Sequence, residues 1–502
     1  MIHEQSKPKK IVIVGGGTAG WMAANLLAST WREIDICLVE SKQIGIIGVG
    51  EGSTPHLKLF FDSIGLEDAQ WMPKCNATYK VGITFDKWST KPGFGAYFHP
   101  FAAQTDDIFT LPLFYKNIQA RKHGYDVNPH PDHYFLQSYL SRQNRAPLAA
   151  ESFPFGMAYG YHFDSALLGN FLADYATAKG VSRIFGEVED VLLSQQGCIE
   201  KVILNDGQHI AADFFIDCTG FDSLLMQKTL KQQFKSFKDT LFNDAAVVLP
   251  TSIASVLPVE TKATALSNGW AWNIPLLNRF GNGYVYSRDY IDANQAESEL
   301  RQHLDMSDSN TEARHLSMKV GRLEKHWHKN CLAVGLSQGF IEPLEATAIA
   351  LSFNTIAQFI QLYQRGNFSN QFEDAFNLEI NSKFDGIKDY VVCHYKANQR
   401  SDTDYWRDNA SNTKISDNLN KVLQLWKHSP NFVEDMNAHK LVDSYQAKSW
   451  ACMLAGYGVF PEKQANTSVD YSAYHQEMAA LDDFIRRCGM NFKQHHEQLA
   501  FA

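Results

Sequence analysis

The chain has 502 residues, a formal net charge of −9 and 45% hydrophobic residues. That length buries a large core divided into more than one lobe. The acidic balance, with no sustained Lys/Arg block, argues against nucleic acid or an anionic membrane surface as partner and leaves small neutral or aromatic ligands open.

Lys7, Lys9 and Lys10 precede an apolar run of only Ile11, Val12, Ile13 and Val14, too short for a signal-peptide core. No run of about 18 apolar residues follows, so a cytoplasmic protein without a membrane partner is expected. That run reads as a parallel strand buried on both faces, and Gly15-Gly16-Gly17-Thr18-Ala19-Gly20 turns it into a helix carrying Trp21, Met22, Leu26 and Leu27. A second strand, Ile34 to Val39, ends at Glu40. The glycines suit a dinucleotide turn: Gly15 for tightness, Gly17 for close approach to a pyrophosphate at the helix start near Thr18 and Ala19, and Gly20 for helix–strand packing. Glu40 is placed to take ribose hydroxyls.

Next, Gly48-Val49-Gly50-Glu51 lies in a glycine-dense loop suited to backbone lying against a bulky ligand, or to a surface loop. Residues 77–88 read as one strand, with Lys80, Gly82, Thr84 and Asp86 on one face and Tyr79, Val81, Ile83 and Phe85 on the other. Taken alone, Lys80 there is a solvated edge charge. Residues 89–160 are rich in aromatics and histidine, among them His99, Phe101, His130 and His133, and suit either a planar-ligand pocket or the packed underside of loops. Their spacing predicts no metal site. The eight cysteines are scattered without a CxxC pair, so reduced structural thiols are expected.

The pattern then predicts a helix over 166–179, a hairpin over 199–210 turning at Asn205-Asp206-Gly207, and a strand ending in Asp217-Cys218-Thr219-Gly220, whose turn belongs at the ligand edge of an open sheet. Gly269-Trp270-Ala271-Trp272-Asn273-Ile274-Pro275 and Gly281 to Ser287 form two strands around a turn, and alternation puts Trp270 and Trp272 on one face. A strand ending at Gly335 leads to Pro343-Leu344-Glu345-Ala346-Thr347-Ala348 and a helix over 349–362. Past Asn381 the chain is mostly helical, with aromatic clusters that include Trp450.

Together these pieces resemble the flavin-dependent halogenases typified by the tryptophan halogenases. The WxWxIP element at Trp270–Pro275 is the specific one, whereas the glycine turn and the Asp217 turn are shared with flavin monooxygenases. The resemblance implies an α/β fold: an FAD-binding Rossmann-like module of the glutathione-reductase or aromatic-hydroxylase type over 1–380, with an aromatic-rich insertion near 89–160, and a mostly helical substrate-side module over 381–502. It implies an oxidoreductase supplied with FADH2 by a separate flavin reductase, which turns chloride or bromide into hypohalous acid with O2 and passes the halogen to a small aromatic, indole-type substrate. FAD would contact Gly15, Gly17, Thr18, Ala19, Gly20, Glu40, Gly48, Val49, Gly50, Glu51, Asp217, Gly220 and Gly335. Lys80 and Glu345 would be catalytic, with Glu342 the competing acid. Thr347 and Ala348 would sit at the halide, Trp270 and Trp272 would keep substrate from the flavin, and His99, Phe101 and Trp450 would bind the arene.

Two departures from the family pattern bear on halide and substrate. Its usual Ser-Thr-Gly is Ala346-Thr347-Ala348 here, which makes bromide an alternative to chloride. Glu434, Asp435 and Tyr445 do not reproduce the residues that clamp free tryptophan. An FAD aromatic hydroxylase is the alternative activity and a non-catalytic flavoprotein module a third reading, while a homodimer is left open.

Overall fold

The computed structural model describes residues 7–43, 50–460 and 472–500. The chain divides into two interleaved units, Met1–Asn76 with Phe163–Lys238 and Met318–Asp385, and Ala77–His162 with Asp239–Ser317 and Gly386–Ala502. The expected contiguous split at 380/381 is therefore not how the contacts fall, and the 89–160 segment lies wholly in the second unit. The interleaving arises because strands distant in sequence pair within each unit.

In the first unit, Lys10–Val14 is the inner strand of a six-stranded sheet, and Ile11, Val12 and Ile13 have no exposed surface. Its parallel neighbours are Asp35–Glu40 and Phe214–Asp217, followed outward by Ser182–Phe185 on one side and Cys331–Ala333 on the other. The antiparallel Trp327–His328 closes that second edge. Val14 pairs with both Val39 and Asp217, and Asp217 with Ala333, so three strands end level and their turns open on one carboxyl edge.

Helix Thr18–Thr30 packs between Ser165–Ala178 and Ala348–Arg365, and Phe214 meets Phe359 at 4.9 Å between ring centroids. The opposite face of the sheet buries Val12, Val14, Val39 and Phe215 with Val202 and Leu204 of the expected hairpin, whose strands are Ile199–Leu204 and His209–Ala211. A Cβ at Gly15 (φ +114°) would lie 2.2 Å from the Cys218 carbonyl oxygen, and one at Gly20 would lie 2.0 Å from that of Gly15. Both obstacles are backbone, so turn, helix and strand approach as closely as glycine permits.

The second unit is built on a seven-stranded sheet in the order Arg314–Ser317, Ala245–Val248, Phe280–Tyr286, Gly269–Pro275, Glu260–Leu266, Gly82–Asp86 and Ala96–Pro100. Only the pairing of Glu260–Leu266 with Gly82–Asp86 is parallel. One face packs Ala271, Tyr284 and Tyr286 under helix Ala293–His303. An aromatic cluster of Phe85, Trp88, His394, Tyr395, Trp406 and Tyr457 joins strand to helical residues within this unit. The 89–160 segment is ordered: it contributes strand Ala96–Pro100 and helices Leu111–Lys122 and Leu136–Arg142.

The single strand expected over 77–88 is two strands. Val81 breaks it, because its N–H donates to Val259 O at 2.8 Å and its carbonyl accepts from Phe101 N at 3.0 Å. Thr78–Lys80 instead pairs antiparallel with Gly160–Phe163, which removes Lys80 from the large sheet. Among the described residues no helix is long and apolar enough to cross a membrane.

The contact at Gly20 is testable without any ligand. Gly20→Ala should lower the urea midpoint of the apo-protein by an amount equivalent to about 1–3 kcal/mol, because a Cβ is forced against backbone. An unchanged midpoint would show that this approach is looser than described.

Candidate active site

The expected site residues sort by unit: the cofactor, halide and Glu345 positions lie in the first, and Lys80, the tryptophan pair and the aromatic residues in the second.

At the carboxyl edge of the first unit, Gly17 caps helix Thr18–Thr30 in extended backbone without a side-chain cap. The first-turn amides of Thr18, Ala19 and Gly20 thus have no intrahelical acceptor and stand at the positive end of the helix dipole. A Cβ on Gly17 would meet nothing within 4 Å, so the space before these donors is open, as an anionic pyrophosphate requires. Gly220 and Gly335, both at φ +69°, begin the two neighbouring turns, and a Cβ on Gly335 would lie 2.6 Å from that of Ala19.

Glu40 ends its strand as expected and is ion-paired to Arg183, whose Nε donates to Oε1 at 2.5 Å. The Arg183 guanidinium lies 5.3 Å from the Trp21 ring centroid. Sequence reasoning missed Arg183, and nothing local marks it; it reaches Glu40 through pairing of Asp35–Glu40 with Ser182–Phe185. A Cβ on Gly16 would fall 1.6 Å from Glu40 Oε2, so Gly16 is bare because the carboxylate folds over it.

Asp217 ends the middle strand of that edge. Its fully buried carboxylate accepts from Thr219 N (3.0 Å), Thr219 Oγ1 (2.6 Å), Leu225 N (2.8 Å) and Met226 N (2.9 Å). With these four bonds it shapes the Thr219–Gly220 turn. Gly48 and Val49 lie outside the described residues, while Gly50 takes φ +77°. Burial pushes Glu51 up to about 7, opposed by Ser165 and reinforced by the charge of Asp164.

Glu342 and Glu345 are both buried, and Glu345 ends the short 3-10 turn Pro343–Glu345. Ala346 follows at φ +53°, a left-handed conformation costly for a residue with a Cβ. Thr347 is the N-cap residue of the 18-residue helix Ala348–Arg365, again without a side-chain cap. The positive end of that helix favours an anion such as halide near Thr347 and Ala348.

In the second unit Lys80 is fully buried, contrary to the solvated edge charge its strand context suggests. Its Nζ lies 5.6 Å from the Phe101 ring centroid. The remaining aromatic expectations connect from there: His99 lies two residues before Phe101, its Nε2 is 3.5 Å from Tyr390 Oη, and Tyr390 meets Trp450 edge-on at 4.8 Å. Tyr390 also stacks on Tyr445 at 3.6 Å. Tyr390 was not foreseen, because a tyrosine inside a helical stretch looks like ordinary packing.

Trp270 and Trp272 share a face with ring centroids 6.2 Å apart. Gly283, directly opposite Trp272, explains the glycine in that strand: a Cβ there would lie 2.2 Å from the indole. Both indoles are buried, and neither N–H has an acceptor among the described residues. Two orphaned donors are costly in a purely structural core.

A family model described as tryptophan halogenase matches residues 10–488. A 7-chloro-L-tryptophan 6-halogenase from Kutzneria sp. (strain 744) is 34% identical, with 98% of this chain and 99% of that protein covered. The crystal structure of a tryptophan 6-halogenase from Streptomyces toxytricini superposes with a TM-score of 0.87 at 33% identity, covering 99% of this chain and 100% of the other. A flavin-dependent halogenase from Xanthomonas campestris superposes at 0.85 with 31% identity, covering 98% of each chain.

The open face at Gly17 generates a prediction complementary to that for Gly20. Gly17→Val should leave the fold intact yet weaken FAD binding by at least about tenfold, or roughly 1.4 kcal/mol, because its side chain occupies the space before the helix amides. Flavin titration with fluorescence detection checks this, and wild-type affinity in a folded variant would remove the assignment.

Proposed function

This chain belongs to the tryptophan halogenase family, and we propose that it uses reduced FAD, O2 and chloride or bromide to halogenate an electron-rich, indole-type arene. The observation that carries the reading is the complete burial of Lys80 beside Phe101 in the unit that also holds the orphaned tryptophan pair. A buried ammonium is costly to maintain, and a role in the chemistry gives a reason to retain it.

The amides of Thr18, Ala19 and Gly20 fit the FAD pyrophosphate, with Gly17 leaving room, Gly220 and Gly335 shaping the same edge, and Glu40 set for the ribose. Reduced FAD with O2 and halide supplies hypohalous acid. Lys80 holds this oxidant in one of two ways: an ammonium N–H donated to its oxygen polarises the O–X bond, or a neutral amine takes the halogen as a haloamine with loss of water. In the first route the arene carbon takes the halogen as the O–X bond breaks, the departing hydroxide takes a proton from the Lys80 ammonium to leave as water, and the ring proton passes to a carboxylate, for which Glu345 fills the family position, for return to the lysine. Thr347 at its helix start favours the halide. The methyl of Ala348, where the family carries glycine, crowds that position and makes bromide the halide to test beside chloride.

The relatives' names assign 7-chloro-L-tryptophan to one and tryptophan to the other as substrate. Here Asp435 accepts a hydrogen bond from Ser429 at 2.6 Å, and Tyr445 is stacked on Tyr390. Neither arrangement marks a clamp for an amino-acid group, which favours an indole without that requirement, received among His99, Phe101 and Trp450.

The test is incubation with FAD, a separate flavin reductase, NADH and bromide or chloride over a panel of indoles, read by product mass. Halide-dependent products bearing halogen isotope patterns are expected; halide-independent gain of one oxygen atom would indicate a hydroxylase and overturn the reading. Replacing both Trp270 and Trp272 by leucine should shift turnover toward oxygenated or uncoupled product at similar flavin oxidation. Unchanged coupling in that double variant would contradict a shielding role.

A further inference from the structure

Lys80 ends a three-residue strand, and backbone pairing of so short a ribbon fixes its position weakly. Side chains supply what the ribbon lacks. Thr78 lies directly opposite His162 in the register, with Thr78 Oγ1 3.0 Å from His162 Nδ1. The Thr78 hydroxyl also donates to Pro275 O at 2.7 Å, and His162 Nε2 lies 2.9 Å from Thr261 Oγ1. All four residues are buried.

Proton counting fixes the direction of this chain. The Pro275 carbonyl can only accept, so it takes the one proton of the Thr78 hydroxyl, and His162 Nδ1 must then donate to Thr78 Oγ1. Burial and the charge of Lys80 hold His162 well below the usual imidazole range, leaving a neutral ring whose Nε2 accepts from Thr261. The polarity is uniform: Thr261 donates to His162, His162 to Thr78, and Thr78 to Pro275. The chain starts on Glu260–Leu266, crosses the paired strands Gly160–Phe163 and Thr78–Lys80, and ends on the last residue of Gly269–Pro275, the strand bearing Trp270 and Trp272. A second neutral histidine acts one residue closer to Lys80. His495 Nε2 accepts from Tyr79 N at 3.3 Å while its Nδ1 donates to Leu257 O at 2.8 Å.

We propose that His162, as the neutral Nδ1–H tautomer, and Thr78 form a positioning pair that holds the Lys80 strand in fixed register with the Trp270/Trp272 strand, so that the Lys80 side chain is aimed through the position of its backbone. The inference rests on Lys80 as the halogen-transferring group. Since small misplacements of a reacting group carry large rate costs, loss of the pair should act on transfer and leave flavin oxidation alone.

Thr78→Val keeps the shape and removes the hydroxyl; Thr78→Ser keeps the hydroxyl. With free hypohalous acid scavenged, Thr78→Val should give about tenfold less halogenated arene per flavin oxidised, with KM for the arene little changed, whereas Thr78→Ser should stay within about twofold of wild type. Wild-type partition in Thr78→Val, or equal damage from both substitutions, overturns the proposal. An independent readout needs neither cofactor nor turnover: imidazole nitrogen NMR of histidine-labelled apo-protein, with His162 assigned by its loss in His162→Gln, should show the neutral Nδ1–H tautomer at pH 7. An Nε2–H tautomer or a cationic ring overturns the proposal too. If wild type forms no halogenated product, the proposed function fails, while the tautomer is still decided by the nitrogen spectra.

Discussion

Removing a lysine ammonium from water costs several kcal/mol unless its surroundings compensate, and Lys80 exposes none of its surface. Much of its neighbourhood follows from that constraint. Phe101 places a ring beside the ammonium, held by the hydrogen bond from its N–H to the Val81 carbonyl. The two histidines tied to the same ribbon are kept uncharged: burial and the Lys80 charge lower His162, and burial lowers His495 to about 4. A neutral imidazole has one donor and one acceptor, so these rings link strands directionally without adding positive charge beside the lysine.

In the first unit the proposed FAD site asks instead for backbone amides presented to a pyrophosphate. Level strand ends put the Gly15, Gly220 and Gly335 turns on one edge. Asp217 secures the middle turn from inside, and Gly335 packs against Ala19 at the start of the uncapped helix. Arg183 restrains Glu40 in the free protein, so any ribose hydroxyls must share that carboxylate with an existing partner.

The strand–turn–helix–strand unit over Ile11 to Glu40 was legible because period and glycine spacing are local signals, and the 199–210 hairpin for the same reason. The shared face of Trp270 and Trp272 followed from simple alternation. Lys80 was not legible from its strand pattern, which read as a solvated edge, because its burial depends on Val81 leaving the strand to bond Val259 and Phe101, partners far away or beyond a turn in sequence. Family resemblance, not periodicity, marked it as a candidate. Arg183, His162 and His495 escaped for a related reason: each acts through a partner brought close by strand pairing or by the folded chain terminus. The local pattern placed Asp217 at the end of its strand but could not show that its carboxylate accepts from Leu225 and Met226, which lie past the turn.

The account's central claim is that the buried Lys80 transfers halogen but does not make the oxidant. The most direct measurement is the yield of ring-halogenated arene from Lys80→Ala at matched flavin oxidation, with a scavenger of free hypohalous acid present. The account predicts retained FAD binding and retained oxidation of reduced flavin with halogenated product down at least about 100-fold. Halogenation at the wild-type rate under those conditions would contradict it.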